Sequence, residues 1–589
     1  VTTPVRRWFP LTGDQAAGPL GAAPLVGRRT TPVDPLSGPT IALAGRVVTM
    51  DDAFQVLPDA VLYIARGRIV AALPRASPPP PGFEATPVTP TGGTLFPGFI
   101  ELHNHLAYNA LPLWSPVPRL YQDRGQWPTH PDYRRLISGP MTVIGEYRDD
   151  SDRPALLAPL VRYVECKCLM GGCTTSQGIM LNSNAGVQRF FRGILRNVEN
   201  TDQADLSDAD ARIADVDAKD ARRFLARLGK EHSCFLLHLS EGITRAGQST
   251  STARKHFLAL EVAPAEWAIN DTFAGIHAAG LLAEDFTVLH DHGGSMVWSP
   301  LSNLLLYGDT ARVDAARAAH VPIGLGSDWS PSGSKNLLGE MKVAWLYSHH
   351  LLHDLFSPRD IVAMVTRDAA AILKWQPALG TLEAGKHADL CVVDGAEGDP
   401  YEALIHAPET AIRLVMIEGV ARFGEPALMH ALHADGETTA VGGQARVLFL
   451  KDADGDPDVE AVSLASAAGA LAKALRSLPE LARALETPHA PHAARLLLDA
   501  ARRPTWTLAL DEIRDDGIDM RPRLPYGGPS DFTGPGSAVP KASAPPLSAL
   551  LGAIELDPLT VADDPAFLGH IAAEPNVPPA IRDGLALLY

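Results

Sequence analysis

Apolar positions along this chain follow two rhythms. From Thr40 to about Ala72, the runs IALAGRVVTM and AVLYIARGRIVAAL are rich in β-branched residues, alternate, and enclose a Gly-containing turn. That pattern predicts a small antiparallel sheet. A Pro-rich connection, Ser77 to Pro81, follows. The same strand-rich character returns in GTLEAGKHADLCVVD (Gly380–Asp394) and AIRLVMIEGVARFG (Ala411–Gly424), so both flanks are expected to pair in one small β-domain.

Between the flanks, about Leu95 to Leu373, short apolar runs alternate with helical stretches. The expected strands are Leu95–Leu102, Cys173–Ile179, Ile194–Val198, Phe235–Leu239, Ala274–Ile276, Met296–Trp298 and Ile323–Leu325. Helices are expected over Asp210–Leu228 and Asn336–Leu352, among others. Such alternation predicts an α/β fold with a parallel sheet, and a closed (β/α)8 TIM barrel would put functional residues at the strands' C-terminal ends. Seven strands are legible; the eighth is expected between Ile194 and Phe235 or near Met141–Ile144. Beyond about Ala427 an acidic piece (Lys451–Asp458) precedes helical sequence, and a Pro/Gly/Ser-rich stretch (Tyr526–Pro546) leads to a helical tail. This mostly helical extension is either an added subdomain or a cover over a neighbouring subunit of a homo-oligomer; both readings stay open.

Composition narrows the function classes. With 46% hydrophobic and 20% charged residues, a sizeable core is available. A formal charge of −17 argues against nucleic acid or an anionic membrane surface as partner. Cys166, Cys168, Cys173, Cys234 and Cys391 are too few and too irregular for a disulfide framework, and are expected as packed thiols. No run reaches the roughly 18 apolar residues of a membrane span. Prolines and glycines make AAGPLGAAPLVG a poor signal-peptide core. The start at Val1 allows a processed N-terminus, and a cytoplasmic enzyme is the expectation.

Candidate chemistry lies in four pieces, each ending an apolar run on a metal-ligand residue type. They are LFPGFIELHNH (His103, His105), CFLLHLSEG (His238, Glu241), FAGIHAAG (His277) and VPIGLGSDWS (Asp328). Residues two apart on a strand share a face, so His103 and His105 can meet one ion. With His238 and Asp328 they would make a mononuclear hydrolytic centre holding one divalent metal, zinc first and iron as the alternative. A water on such an ion has its pKa lowered from about 16 toward 7. Glu241 would carry its proton, and His277 would stand beside the nucleophile. His290 and His292 precede a strand instead of ending one and are expected at a helix end.

The motifs PGFIELHNH, GGCTTSQG, HLSE, GIHAAGL, SPLSN, GLGSDWSPSGS and GTLEAGKHADLCVVD together resemble the amidohydrolase superfamily, in its deaminase and chlorohydrolase branch. The resemblance runs from about Thr40 to Gly424. It implies a barrel with a flanking β-sandwich, ligands His103, His105, His238 and Asp328, Glu241 as proton shuttle and His277 as partner of the attacking hydroxide. Asp328 would also accept a proton from the nucleophilic water. The expected division is residues 1–94 for the N-terminal segment and first part of the sandwich, 95–375 for the barrel, 376–426 for the second part, and 427–589 for the extension. One departure concerns a second metal. No lysine ends a candidate strand, Lys167 lying upstream of one, and Glu199 is the residue that could stand in as a bridge.

Substrate contacts are expected from Tyr108, Asn109, Trp114, Gln177, Asn303 and Trp329, with Ser330 beside it, all just past strand ends. The expected reaction on a small molecule is hydrolytic deamination of a heterocycle. The alternatives are hydrolysis of an amide or cyclic amide, triazine-type chloride release, and a non-catalytic scaffold on the same barrel.

Overall fold

The computed structural model describes residues 40–149, 153–183, 188–486, 506–510 and 545–589. AAGPLGAAPLVG and most of Tyr526–Pro546 lie outside the described residues.

The two strand-rich flanks meet in one nine-stranded sheet. Val88–Pro97 lies between Ile41–Val48, parallel to it, and Leu390–Asp394, antiparallel to it. Ile41–Val48 continues to Val56–Ala65 and Arg68–Pro74; Leu390–Asp394 continues to Ile412–Ile417, Val420–Gly424, Gln444–Leu448 and Glu437–Val441. Side chains of alternate residues share a face. Leu43, Leu62, Leu95, Val392, Leu414 and Met416 accordingly gather in one apolar cluster drawn from both flanks.

The central region supplies eight parallel strands in two sheets. Phe99–Ile100, Cys173–Ser176 and Arg196–Asn197 form the first. Asp210–Arg212, Phe235–Leu239, Phe273–His277, Ser295–Trp298 and Ile323–Leu325 form the second. Hydrogen bonds join the sheets at both edges: Ala209 N–H to Val198 O at 2.8 Å, and Asp328 N–H to His103 O at 2.9 Å with His105 N–H to Asp328 O at 2.7 Å. Ile100, Leu102, Val198, Leu236, Ala274, Ile276 and Val297 form a shared core with Leu373 and Trp375. Helices such as Ala221–Leu228, Thr252–Leu258 and Ala283–Asp291 separate successive strands, and Leu337–Leu351 follows the last strand. Asn336 starts the last of these, its side chain accepting from Gly339 N–H, the bond that an N-cap supplies.

The eighth strand, Asp210–Arg212, lies between Ile194 and Phe235 as expected, but it takes the start of the stretch expected to be helical, and the helix itself covers only Ala221–Leu228. Met141–Ile144 lies in helix Gly139–Glu146. The strand after GGC is also shorter than expected, and chain beyond it turns out into Met180–Ser183, which pairs with Gln188–Phe190 and Trp506–Leu508. All five cysteines are buried and free. His290 and His292 fall in the last turn and at the C-cap of helix Ala283–Asp291.

The described parts of the extension pack on their own chain. Glu574 accepts from Val117 N–H, Asn576 Nδ2 donates to Leu305 O, and the Lys342 ammonium lies 5 Å-scale close over Tyr589, at 4.9 Å from the ring centre. No helix among the described residues is long and apolar enough to cross a membrane.

Candidate metal centre

At the C-terminal mouth of the eight strands the chain departs from extended geometry. Ser240, His277, Ala278 and Asp328 all have left-handed φ, between 49° and 67°. Non-glycine residues take that region at a cost, and surrounding structure must impose it. Gly326 shows how tightly this end is packed, since a Cβ there would lie 2.3 Å from that of His103.

These turns bring the four sequence pieces together. The Nε2 atoms of His103, His105 and His238 lie 3.1 to 3.3 Å apart. Asp328 Oδ1 lies 3.4 Å from the first two. A triangle of that size lets each nitrogen approach a common ion at about 2.1 Å, the usual zinc–imidazole distance. His103 Nδ1 pairs with Ser299 Oγ at 2.8 Å, a bond that leaves Nε2 its lone pair when Nδ1 carries the proton. Ser302 donates to Asp328 Oδ2, so Oδ1 faces the imidazoles. Burial and neighbouring imidazoles hold His103 and His238 well below the usual histidine range, so both are neutral, as ligands must be. The donor set therefore fits a divalent cation.

His277 differs from the other three. Its Nδ1 lies 3.1 Å from Asn303 Nδ2. Trp298 Nε1–H, which can only donate, bonds Thr310 Oγ1 at 2.8 Å, and Thr310 donates to Asn303 Oδ1 at 3.2 Å. The direction of this chain makes Asn303 Nδ2 a donor to Nδ1 and places the His277 proton on Nε2. Burial pushes His277 down to about 4, so it is neutral and Nε2–H points outward as a donor. Two sets could group around an ion, His103 with His238 and His277, or His103 with His105 and Asp328. With its proton on Nε2, His277 offers no lone pair at that atom to an ion.

Glu241 Oε2 lies 3.7 Å from His277 Nε2, and Oε1 accepts from Tyr307 O–H at 2.8 Å. Trp127 Nε1 donates in turn to Tyr307 at 3.0 Å. Burial raises Glu241 above the usual carboxylate range, against the opposing pull of Arg124 and the Tyr307 hydrogen bond. Burial likewise raises Asp328.

The expected substrate residues divide by what they touch. Asn109 bonds Asn104 through Nδ2 and Ser330 N–H through Oδ1. Gln177 Oε1 accepts from Asn104 N–H, and Nε2 faces Glu199. Asn303 orients His277. Those three amides are engaged within the protein. Trp114 is buried among Tyr121, His130 and Tyr133. Tyr108 and Trp329 meet edge to face at 5.1 Å, and the Trp329 ring lies 6.0 Å from that of His105. Glu199 accepts from Gly178 N–H at 3.0 Å and joins neither ion-sized group. Sequence reading missed Ser299, Ser302 and Tyr307, polar residues around an apolar helix, and Trp127, whose ring lies 5.6 Å from that of Trp329.

Imidazoles, a carboxylate and a buried acid gathered at one strand mouth define a metal-assisted hydrolase. Residues 94–422 match the family described as the amidohydrolase family, and the chain belongs to it. It is a hydrolase acting on carbon–nitrogen bonds other than peptide bonds. Among curated relatives, it is 23% identical over 383 residues to a 5-methylthioadenosine/S-adenosylhomocysteine deaminase of Symbiobacterium thermophilum, covering 59% of this chain and 84% of that one. It is 30% identical over 130 residues to an S-triazine hydrolase of Gordonia rubripertincta, covering 21% of this chain and 27% of that one. Among solved structures it resembles atrazine chlorohydrolase of Arthrobacter aurescens complexed with zinc, with 20% identity, 65% of this chain and 94% of that one covered, and a TM-score of 0.46.

Proposed function

We propose that the protein is a mononuclear zinc hydrolase that releases ammonia from a planar nitrogen heterocycle. The eight parallel strands are read as a closed (β/α)8 barrel and the nine-stranded sheet as its flanking sandwich. His103, His105, His238 and Asp328 are read as the ligands, which leaves Glu199 out and one ion per chain. When bound, that ion would supply an acidified water, its pKa drawn from 15.7 toward about 7.

The observation that carries the reading is the opposed pair beside the ligands, a carboxylate oxygen of Glu241 facing a histidine N–H. Glu241 Oε2 takes the proton of the attacking water, and His277 Nε2–H donates to the water's oxygen. Asp328 Oδ1 accepts a second proton from the same oxygen. Glu241 then hands its proton to the departing nitrogen, and the proton held by Asp328 passes to the ring nitrogen beside the attacked carbon. Oxygen has joined the ring carbon, the C–N bond has broken, and the nitrogen leaves as ammonia. Tyr108 and Trp329 line the approach with ring faces and edges suited to a planar substrate.

A panel of aminopurines, aminopyrimidines and aminotriazines, with chlorotriazine and cyclic amide controls, tests this reading. Ammonia released stoichiometrically with product is expected. Chloride or a carboxylic acid formed without ammonia would move the leaving group to that of the triazine hydrolase reading or of an amide hydrolase.

A further inference from the structure

Outside the centre, buried charges gather around Asp557 of the C-terminal segment. Lys167, Lys335 and the Asp557 side chain are each 2% exposed or less. Asp557 Oδ2 pairs with Lys167 Nζ, and Oδ1 accepts from Lys335 Nζ at 2.6 Å. Lys335 also meets Asp564 Oδ2 at 2.8 Å, so two carboxylates balance two ammonium groups. The Asp557 backbone is held as well: its N–H donates to Ala110 O at 3.0 Å, and its carbonyl accepts from Tyr163 O–H at 2.7 Å.

Lys167 passes this anchorage upward. Besides Asp557, its ammonium donates to Ser330 Oγ at 2.7 Å and to Asn109 O at 3.1 Å, which uses all three of its N–H groups. Asn109 bonds Ser330 N–H and Asn104 at 2.9 Å each. Asn104 lies between His103 and His105, Ser330 lies two residues past Asp328, and Lys335 ends the same loop. One carboxylate thus ties together the two loops that carry three of the four assigned ligands.

We propose that Asp557, which lies 135 residues beyond the end of the family match at 422, is a positioning residue for the metal centre. Burying an ammonium without a counter-charge is strongly unfavourable, so Lys167 without Asp557 would turn toward water and release Ser330 and Asn109. The segment itself stays docked through Glu574, Asn576 and Tyr589, which confines the effect to the two loops. The inference rests on the metal reading above, and its test separates the two.

Zinc affinity of the full chain, measured by chelator competition, is the readout, with melting of the metal-free protein alongside. Asp557→Asn is expected to lose at least tenfold in zinc affinity and Asp557→Glu to recover part of it. Glu574→Gln, which loosens the same segment elsewhere, is expected to stay within twofold of the parent chain. Should Asp557→Asn fail to fold, Asp557→Leu combined with Lys167→Met removes both charges of one pair and leaves Lys335 with Asp564. That variant is expected to fold and still to bind zinc more weakly. Parent-like affinity in Asp557→Asn or in the double variant, or an equal loss in Glu574→Gln, overturns the proposal. Absence of zinc binding by the parent chain, or unchanged binding in His238→Ala, defeats the metal reading instead.

Discussion

Tyr307 donates to one oxygen of Glu241 and leaves the other, facing His277, to carry a proton. Two substitutions separate these tasks. Glu241→Gln should keep the metal and lose a factor on the order of 10² to 10⁴ in kcat, the usual yield of general acid–base catalysis. Tyr307→Phe should lose about tenfold or more in kcat with KM little changed, since a hydrogen bond to a charged group contributes about 1.5–3 kcal/mol. A KM rise without a kcat loss would make Tyr307 a substrate contact. Asn303 offers a sharper test. Asn303→Asp can only accept, so it should move the His277 proton to Nδ1, which ¹⁵N spectra of the ring report, and turnover should fall. An unchanged tautomer would break the chain of bonds from Trp298.

At the scale of elements, Glu340 on helix Leu337–Leu351 accepts from Leu301 N–H, in the first turn of the helix Pro300–Tyr307 that carries Ser302, Asn303 and Tyr307. It also accepts from Ser334. Burial pushes its carboxyl up to about 8 from 4.5. A carboxyl raised on folding is neutral in the folded state and ionised in the unfolded one between those values. Its stabilisation is therefore complete below about 4.5 and lost as pH rises through about 8. Melting temperature should fall from pH 6 to pH 9, and Glu340→Gln, whose Oε1 can accept from Leu301 N–H and whose Nε2 can donate to a rotated Ser334 hydroxyl without titrating, should flatten that fall. Equal slopes in parent and variant would show that the carboxyl is already ionised.

Legibility from sequence varied with the kind of element. Phe235–Leu239 and Ile323–Leu325 stood out as apolar runs because both their faces are buried. Asp210–Arg212 is three residues long, with two of them charged and exposed or half-exposed, and its text runs unbroken into a helical pattern. Periodicity had nothing to register there. Tyr307 was hidden for a related reason: in PLSNLLLY it reads as one more packing residue of an apolar helix.

Over the whole molecule, the ligand types were visible because each follows its strand, while the support beneath them was not. Asp557 lies 229 positions after Asp328, in a stretch with no motif, and only folding brings it to Lys167 and Lys335. Arg196 likewise joins a strand of the parallel set to Asp389 and Glu418 beside the nine-stranded sheet, a tie between regions distant in sequence. The extension, open in sequence between subdomain and intersubunit cover, packs in its described parts on its own chain: Glu437–Val441 and Gln444–Leu448 complete the nine-stranded sheet, while Glu574 and Asn576 bond residues of the central region. In the proposed site, His103, His105, His238 and Asp328 would hold a divalent ion. Elemental analysis of the purified chain beside His238→Ala and Asp328→Ala tests it most directly. One zinc per parent chain and substantially less in both variants is the predicted result; a metal-free yet active parent, or full occupancy in both variants, would contradict it.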